Sequence, residues 1–180
     1  MPGGIEIRPL TPSDDRSRFH SADPDLDRFL QRFAGQNQFR HHVGVTYLAL
    51  TGGAILGYLT VTPSQIEIDD LPESDAKRLP RYPLPVLRLA RLAVDRAAQG
   101  RGIGKALLRF ALGLAWRLSA EFDCVGVVVD AKPAALDFYR NLGFEQVTAL
   151  EGVLREKPEP TPMFLPMSAI PMENGSGRNR

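Results

Sequence analysis

The sequence predicts an α/β (α+β) fold on one mixed sheet, and three features carry that prediction. Two strand–helix units follow one another at residues 86–118 and 124–142. Two strands earlier in the chain, joined at Thr51-Gly52-Gly53, read as a hairpin. The runs Val86–Val94 and Cys124–Val129 are nearly continuous in apolar residues, as strands buried on both faces are. With 180 residues the chain suits one domain, placed at residues 1–170 with a flexible tail over 171–180.

The elements follow in order. Ile5 and Ile7 alternate with polar residues and predict a first strand, ended by Pro9 or Pro12. Asp23-Pro24-Asp25 joins an acidic cap to an early proline, which marks a helix start. Leu26, Phe29, Leu30 and Phe33 then recur at helical spacing and predict an amphipathic helix to about Gln38. Strands follow at Val45–Leu50 and Ile55–Thr62, with Ile66-Glu67-Ile68 extending the sheet. Pro72, Pro80 and Pro83 punctuate residues 69–84 and predict a short helix and a surface loop. After the strand Val86–Val94, the residues Ile103, Ala106, Leu107, Phe110, Ala111, Leu114 and Leu118 mark one face of a strong helix. The strand Cys124–Val129 leads to a helix over 133–142 that Gly143 closes, and Phe144–Leu150 starts another strand. Met163-Phe164-Leu165 is the last predicted strand, and Met172–Arg180 has no apolar anchor.

Composition removes several function classes. Twenty-two basic residues against 21 acidic ones give a formal charge of +1, so no whole-chain attraction draws nucleic acid or membrane. No apolar run approaches the ~20 residues of a membrane span, and MPGGIEIRPL has no signal-peptide pattern. A cytoplasmic location is the expectation. Cys124 is the one cysteine, which excludes an internal disulfide; a free cysteine in an apolar run is expected to be a buried small hydrophobe. His41-His42 does not suggest a metal, because adjacent side chains on extended backbone point apart and no third ligand is near.

Chemistry concentrates at Gln99-Gly100-Arg101-Gly102-Ile103-Gly104-Lys105, between a buried strand and a strong helix. Alternate glycines let the backbone approach a ligand closely. Free N–H groups at the helix start, helped by the helix dipole, favour a pyrophosphate. A P-loop would need Ser or Thr where Ala106 stands, and a dinucleotide fingerprint would need Gly or Ala where Lys105 stands.

Gln99 to Gly104, preceded by Leu92-Ala93-Val94 and followed in order by Phe138-Tyr139-Arg140-Asn141-Leu142-Gly143-Phe144, resembles the GNAT acetyltransferases over roughly residues 5–150. The resemblance implies a GNAT fold: a central mixed, mostly antiparallel twisted sheet, flanked by helices and splayed between its fourth and fifth strands. It implies acetyl-CoA as donor, no metal, and direct attack of a primary amine on the thioester in a ternary complex. In that family's terms, Leu92, Ala93 and Val94 would pair with the pantetheine arm, and one of their N–H groups would polarise the thioester carbonyl. Gln99, Gly100, Arg101, Gly102, Ile103, Gly104 and Lys105 would hold the pyrophosphate. Ala135 would stand where the cofactor passes close to a helix. Tyr139 would be the general acid for the departing thiolate. Lys132 departs from the family pattern, which often has Asn there, and no base is assigned; Glu6, Glu67 and His41 have no spacing argument behind them.

Leu26-Asp27-Arg28-Phe29-Leu30, Ala34, Gln36-Asn37, Leu79-Pro80-Arg81-Tyr82-Pro83 and Arg91-Leu92-Ala93-Val94-Asp95 resemble the GNAT subgroup containing toxins that acetylate aminoacyl-tRNA. That subgroup implies tRNA as acceptor and a small DNA-binding antitoxin as partner. Small amines, peptide N-termini and protein lysines remain alternative acceptors, and a non-catalytic acetyl-CoA-binding module is the alternative of another class. Arg28, Arg32, Arg40, His41 and His42 cluster early, and Lys77, Arg78, Arg81, Arg88 and Arg91 cluster before the glycine turn, so a basic face for RNA phosphates and a merely solvated face weigh equally. Arg88 and Arg91 have opposite parity on one strand, and Arg91 is the one expected on the substrate side. GNAT domains often dimerise, with the apolar segments near 147–170 as the candidate face.

Overall fold

A computed structural model describes residues 4–71, 73–77, 79–81, 83–147 and 159–171. Seven strands, β1 (Glu6–Pro9), β2 (Val45–Thr51), β3 (Ala54–Ile66), β4 (Leu84–Val94), β5 (Gly126–Ala131), β6 (Glu145–Gln146) and β7 (Thr161–Pro166), form one sheet. Its order is β1-β2-β3-β4-β5-β7-β6. The sheet is mostly antiparallel, with a parallel pair at β4–β5. A parallel pair needs a long crossover, and the 19-residue helix α3 (Ile103–Glu121) supplies it. The shorter helices are α1 (Pro24–Arg28), α2 (Glu73–Ala76) and α4 (Leu136–Asn141). The tail from Met172, the expected strand end Thr148–Leu150, Arg78, Tyr82 and most of the proline-rich stretch before Pro162 lie outside the described residues.

The chain divides into two compact units, Met1–Ser64 with Leu87–Ala111, and Gln65–Val86 with Leu112–Arg180. In the first unit β1, β2 and β3 run antiparallel, with Glu6 opposite Leu50 and Val45 opposite Val61. Thr46 and Thr60 face each other across the β2–β3 ladder and share a buried hydroxyl–hydroxyl bond of 2.8 Å. Leu10, Phe19, Phe29, Leu30, Leu48 and Tyr58 make its core. Tyr58 meets Phe19 edge-on at 5.5 Å, and its hydroxyl donates to the Leu26 carbonyl at 2.7 Å. Burial thus has its polar compensation, and desolvation pushes this phenol far above its ordinary pKa.

Helix α1 begins as its sequence predicts. The Asp23 carboxylate accepts from the Asp25 and Leu26 N–H groups at 3.0 and 3.2 Å, with Pro24 in the first helical turn. Beyond Arg28 the helix continues as π-helical turns, Phe29–Phe33 and Gln36–Arg40. That changes which residues point inward. Phe33, expected on the apolar face, is 46% exposed, and Ala34, 1% exposed, stands inside instead. The Ala34 N–H bonds to Phe29 O, five residues back, so the wider turn moves the buried stripe by one position.

Arg8 and Asp14 tie the first strand to the connection that follows it. The guanidinium donates to both carboxylate oxygens at 2.9 and 2.7 Å, and Asp14 also accepts from the Thr11 N–H and hydroxyl. The Arg8 hydrogen bond holds the Asp14 carboxyl well below the usual carboxylate range. A depressed folded-state pKa stabilises the fold above the unfolded value of about 3.9 and loses that contribution as pH falls toward the folded one. Asp14→Asn should therefore cost about 1–3 kcal/mol at pH 7, a cost that begins to fall only below about pH 4 and is still largely present at pH 3, checked by urea unfolding at both pH values.

The second unit has its own core of Ile66, Leu71, Leu84, Val86, Val128, Val147 and Phe164. β7 pairs antiparallel with β5, from Gly126 opposite Pro166 to Ala131 opposite Thr161, and with β6. Met163, Phe164 and Leu165 are at most 1% exposed, so none of these three stands on an open apolar face, and Phe164 belongs to this core. Cys124 is buried, and its thiol donates to the Gly126 carbonyl at 3.2 Å. β3 ends at Ile66, and Ile68–Asp70 form a 3₁₀ turn rather than more strand. No helix among the described residues is long and apolar enough to cross a membrane.

Candidate active site

The first unit carries the segment with the most distinctive chemistry. β4 ends at Val94; Asp95 caps a 3₁₀ turn at Arg96–Ala98, its carboxylate accepting from the Ala97 N–H at 2.9 Å. Gly100 and Gly102 follow with φ of +75° and +81°, in the left-handed region where a side chain is strained by roughly 1–2 kcal/mol. A Cβ built at either would meet nothing of the protein within 4 Å. The glycines are thus required by the backbone path, and the space in front of them is open.

Helix α3 starts at Ile103 with no carboxylate in its first turn. The first N–H groups of any helix lack intrahelical partners, and their end of the helix is positive. Here two exposed cations, Arg101 and Lys105, flank that positive end, and neither has an ion pair among the described residues. Cations at a helix N-terminus oppose the dipole, so this corner is electrostatically incomplete until an anion joins it. A pyrophosphate between open glycines, free N–H groups and two cations fits the donor set.

The other expected donor-site residues divide by what their atoms are free to do. Ile103 is 1% exposed, so its side chain is buried and only its N–H, in the first turn of the helix, is left for a ligand. The Gln99 side chain is already used: its Nε2 donates to Ser21 O at 3.0 Å and to Val94 O at 3.2 Å. Gln99 therefore fixes the path of the turn through its Nε2. Ala93 is buried, while Leu92 and Val94 are half-buried. Arg91 lays its guanidinium over the Phe29 ring, 3.9 Å from the centroid, a cation–π contact that restricts a long side chain.

In the second unit Tyr139 lies on α4, 4% exposed. Its ring sits edge-on to Phe138 at 5.2 Å and to Phe144 at 5.4 Å. Burial pushes the phenol well above its ordinary pKa, so it is protonated at neutral pH. No hydrogen bond to its hydroxyl is found among the described residues. Ala135 ends the 3₁₀ turn that leads into α4 and is half-buried.

One polar cluster escaped sequence reasoning. Asp27, 7% exposed, accepts from the Ser21 N–H at 2.9 Å and the Ser21 hydroxyl at 2.6 Å, while its other oxygen lies 3.3 Å from His20 Nδ1. The usable signal was a carboxylate three and seven residues before the apolar positions Leu30 and Ala34, on the buried stripe itself. His41 and His42 are exposed, and no group of three or more His, Cys, Asp or Glu side chains among the described residues could hold a metal ion.

The acetyltransferase (GNAT) domain family matches residues 42–146. The chain is 32% identical over 148 residues to a tRNA-acetylating toxin of Mycobacterium tuberculosis (strain ATCC 25618 / H37Rv), covering 81% of this chain and 87% of that protein. Among solved structures it resembles AtaT complexed with acetyl-methionyl-tRNAfMet, with TM-score 0.80, 29% identity and coverage of 93% and 97% of the two chains. It also resembles an AtaT mutant toxin bound to the C-terminus of the antitoxin AtaR and acetyl-CoA, with TM-score 0.73, 27% identity and coverage of 93% and 96%. An open glycine turn at the start of α3 and a family match over more than half of the chain lead to one conclusion: the chain belongs to the GNAT acetyltransferases.

Proposed function

We propose that this acyltransferase moves acetyl from acetyl-CoA to the α-amine of an aminoacyl-tRNA. The observation that carries the donor half is the uncompensated positive corner at residues 100–105. The acceptor half rests on likeness to the mycobacterial tRNA-acetylating toxin and to AtaT with its acetylated tRNA. An α-amine next to an ester titrates below a lysine amine, so part of it is neutral and nucleophilic without a dedicated side-chain base.

Acetyl-CoA supplies the acetyl group as an activated thioester. The backbone of Leu92, Ala93 and Val94 orients the pantetheine arm, and one N–H of this segment polarises the thioester carbonyl. Gly100, Gly102 and the N–H groups of Ile103, Gly104 and Lys105 hold the pyrophosphate, with Arg101 and Lys105 neutralising it. Ala135 would leave room for the arm and Arg91 would brace the acceptor side. As the α-amine nitrogen bonds to the acetyl carbon and the C–S bond breaks, the Tyr139 hydroxyl would give its proton to the departing sulfur, and the proton shed by the amine would pass through water to restore the phenol. A small DNA-binding antitoxin is the regulatory partner this reading implies; AtaT is seen bound to the antitoxin AtaR, and the AtaT–AtaR complex is seen bound to DNA.

The test is transfer of labelled acetyl from acetyl-CoA to an aminoacyl-tRNA pool, beside polyamine, peptide and lysine-protein pools. Label on the RNA, released with the amino acid by mild base, is the expected result. Label confined to small amines or protein would keep the enzyme and overturn the acceptor.

A further inference from the structure

A cleft of about 540 Å³ opens in the first unit, lined among others by Ser17, His20, Arg28, Gln31, Arg32 and Arg96. Its one carboxylate, Asp27, has both oxygens engaged, by Ser21 and by His20. Of its three guanidiniums, Arg28 lies 3.4 Å from Asp25, whereas Arg32 and Arg96 have no side-chain hydrogen bond or ion pair among the described residues. The cleft is therefore cationic and unneutralised. Contact with Asp27 at Nδ1 leaves the other ring nitrogen of His20, a 77% exposed side chain, open to a ligand.

The cleft is fixed to the donor segment rather than hung on a loose loop. The Arg96 N–H donates to His20 O at 2.8 Å, the His20 N–H donates to Asp95 at 3.1 Å, and Gln99 donates to Ser21 O. Guanidinium forks match phosphate oxygens in pairs. The volume is that of a small-molecule site, more than one phosphate fills. Arg40, at the far end of the same helical segment, adds a further exposed cation. A lone small anion would want its donors closed around it; an open cleft whose charge runs on along the surface suits a polyanion chain.

We propose that this cleft binds the phosphodiester backbone of the RNA acceptor, with Arg32 and Arg96 as its principal phosphate contacts. The inference rests on the aminoacyl-tRNA reading above and names the surface that would hold that substrate. The test uses the full chain with Arg32→Gln and Arg96→Gln combined, against an Arg109→Gln/Arg117→Gln control that removes two exposed charges from α3. Binding of uncharged tRNA is measured as a function of salt, beside KM for aminoacyl-tRNA, for a phosphate-free aminoacyl-adenosine acceptor and for acetyl-CoA.

Loss of two phosphate contacts should flatten the log–log salt dependence by roughly 1.4–1.8 and raise KM for aminoacyl-tRNA about tenfold or more. KM for the phosphate-free acceptor and for acetyl-CoA should stay within twofold, and the control should bind RNA like the wild type. RNA binding with an unchanged salt slope in the cleft variant overturns the proposal. So does a rise in KM for acetyl-CoA alone, which would give the cleft to the donor's phosphates. RNA binding that depends on Arg32 and Arg96 in a protein that acetylates no aminoacyl-tRNA would support the cleft and sink the acceptor reading instead.

Discussion

Tyr139→Phe is expected to lower the rate of acetyl transfer by ~10²–10⁴-fold and to leave acetyl-CoA binding within a few-fold. The substitution removes one oxygen and keeps the ring that Phe138 and Phe144 hold edge-on. Because no protein partner of that hydroxyl is found among the described residues, its loss should change folding stability by less than about 1 kcal/mol. A rate loss with a steady melting temperature would then isolate the chemical role. Burial raises this phenol above its ordinary pKa of about 10, which makes it a weaker acid toward a thiolate whose conjugate thiol lies near 8.5. Transfer is workable only if the sulfur is desolvated too, which raises its own proton affinity.

The pH profile follows from the same shift. In the proposed role Tyr139 works in its protonated form, and a raised pKa keeps it so, hence Tyr139 should add no alkaline limb to kcat between pH 7 and about pH 9.5. For stability the sign is the same: the fold prefers the neutral phenol, and that preference begins to work against folding only above about pH 10, where the unfolded chain ionises. A variant that keeps more than half of the wild-type single-turnover rate would show that the sulfur leaves without help from Tyr139.

Gly126→Ala should destabilise the protein by about 3 kcal/mol, lowering the melting temperature by roughly 6–12 °C. Gly126 opens β5 opposite β7. A Cβ there would lie well inside contact distance of the Leu165 carbonyl oxygen and 2.7 Å from Phe164 Cζ. The ring could shift, but the carbonyl belongs to the β7 backbone and cannot move without disturbing the ladder. Gly113, in the middle of α3, is the contrasting control, since a Cβ there meets nothing within 4 Å. Gly113→Ala should stabilise by about 0.4–1 kcal/mol, because alanine restricts the unfolded chain and favours helix. Equal stability of the two variants would contradict the close β5–β7 approach.

Period and punctuation carried most of the fold. The strands β2, β4, β5 and β7 and the helix α3 lie within a few residues of where alternation, apolar runs and a glycine turn put them, because those signals are local. The turn at residues 99–105 was legible for the same reason: alternate glycines before an amphipathic helix state their own geometry. Phe33 was misplaced because α spacing was assumed where the chain winds into π turns, and that winding is not written in the apolar pattern.

The sequence by itself determined the mixed sheet, the turn at Gln99–Lys105 and the family. Tertiary structure alone decided that Gln99 ties the turn to Ser21, that Arg91 rests on Phe29, and that Arg32 and Arg96 share a cleft although 64 positions separate them. The reason is range. Backbone conformation answers to neighbours within a turn or two, whereas a side chain's partners are set by which distant segments the sheet brings together.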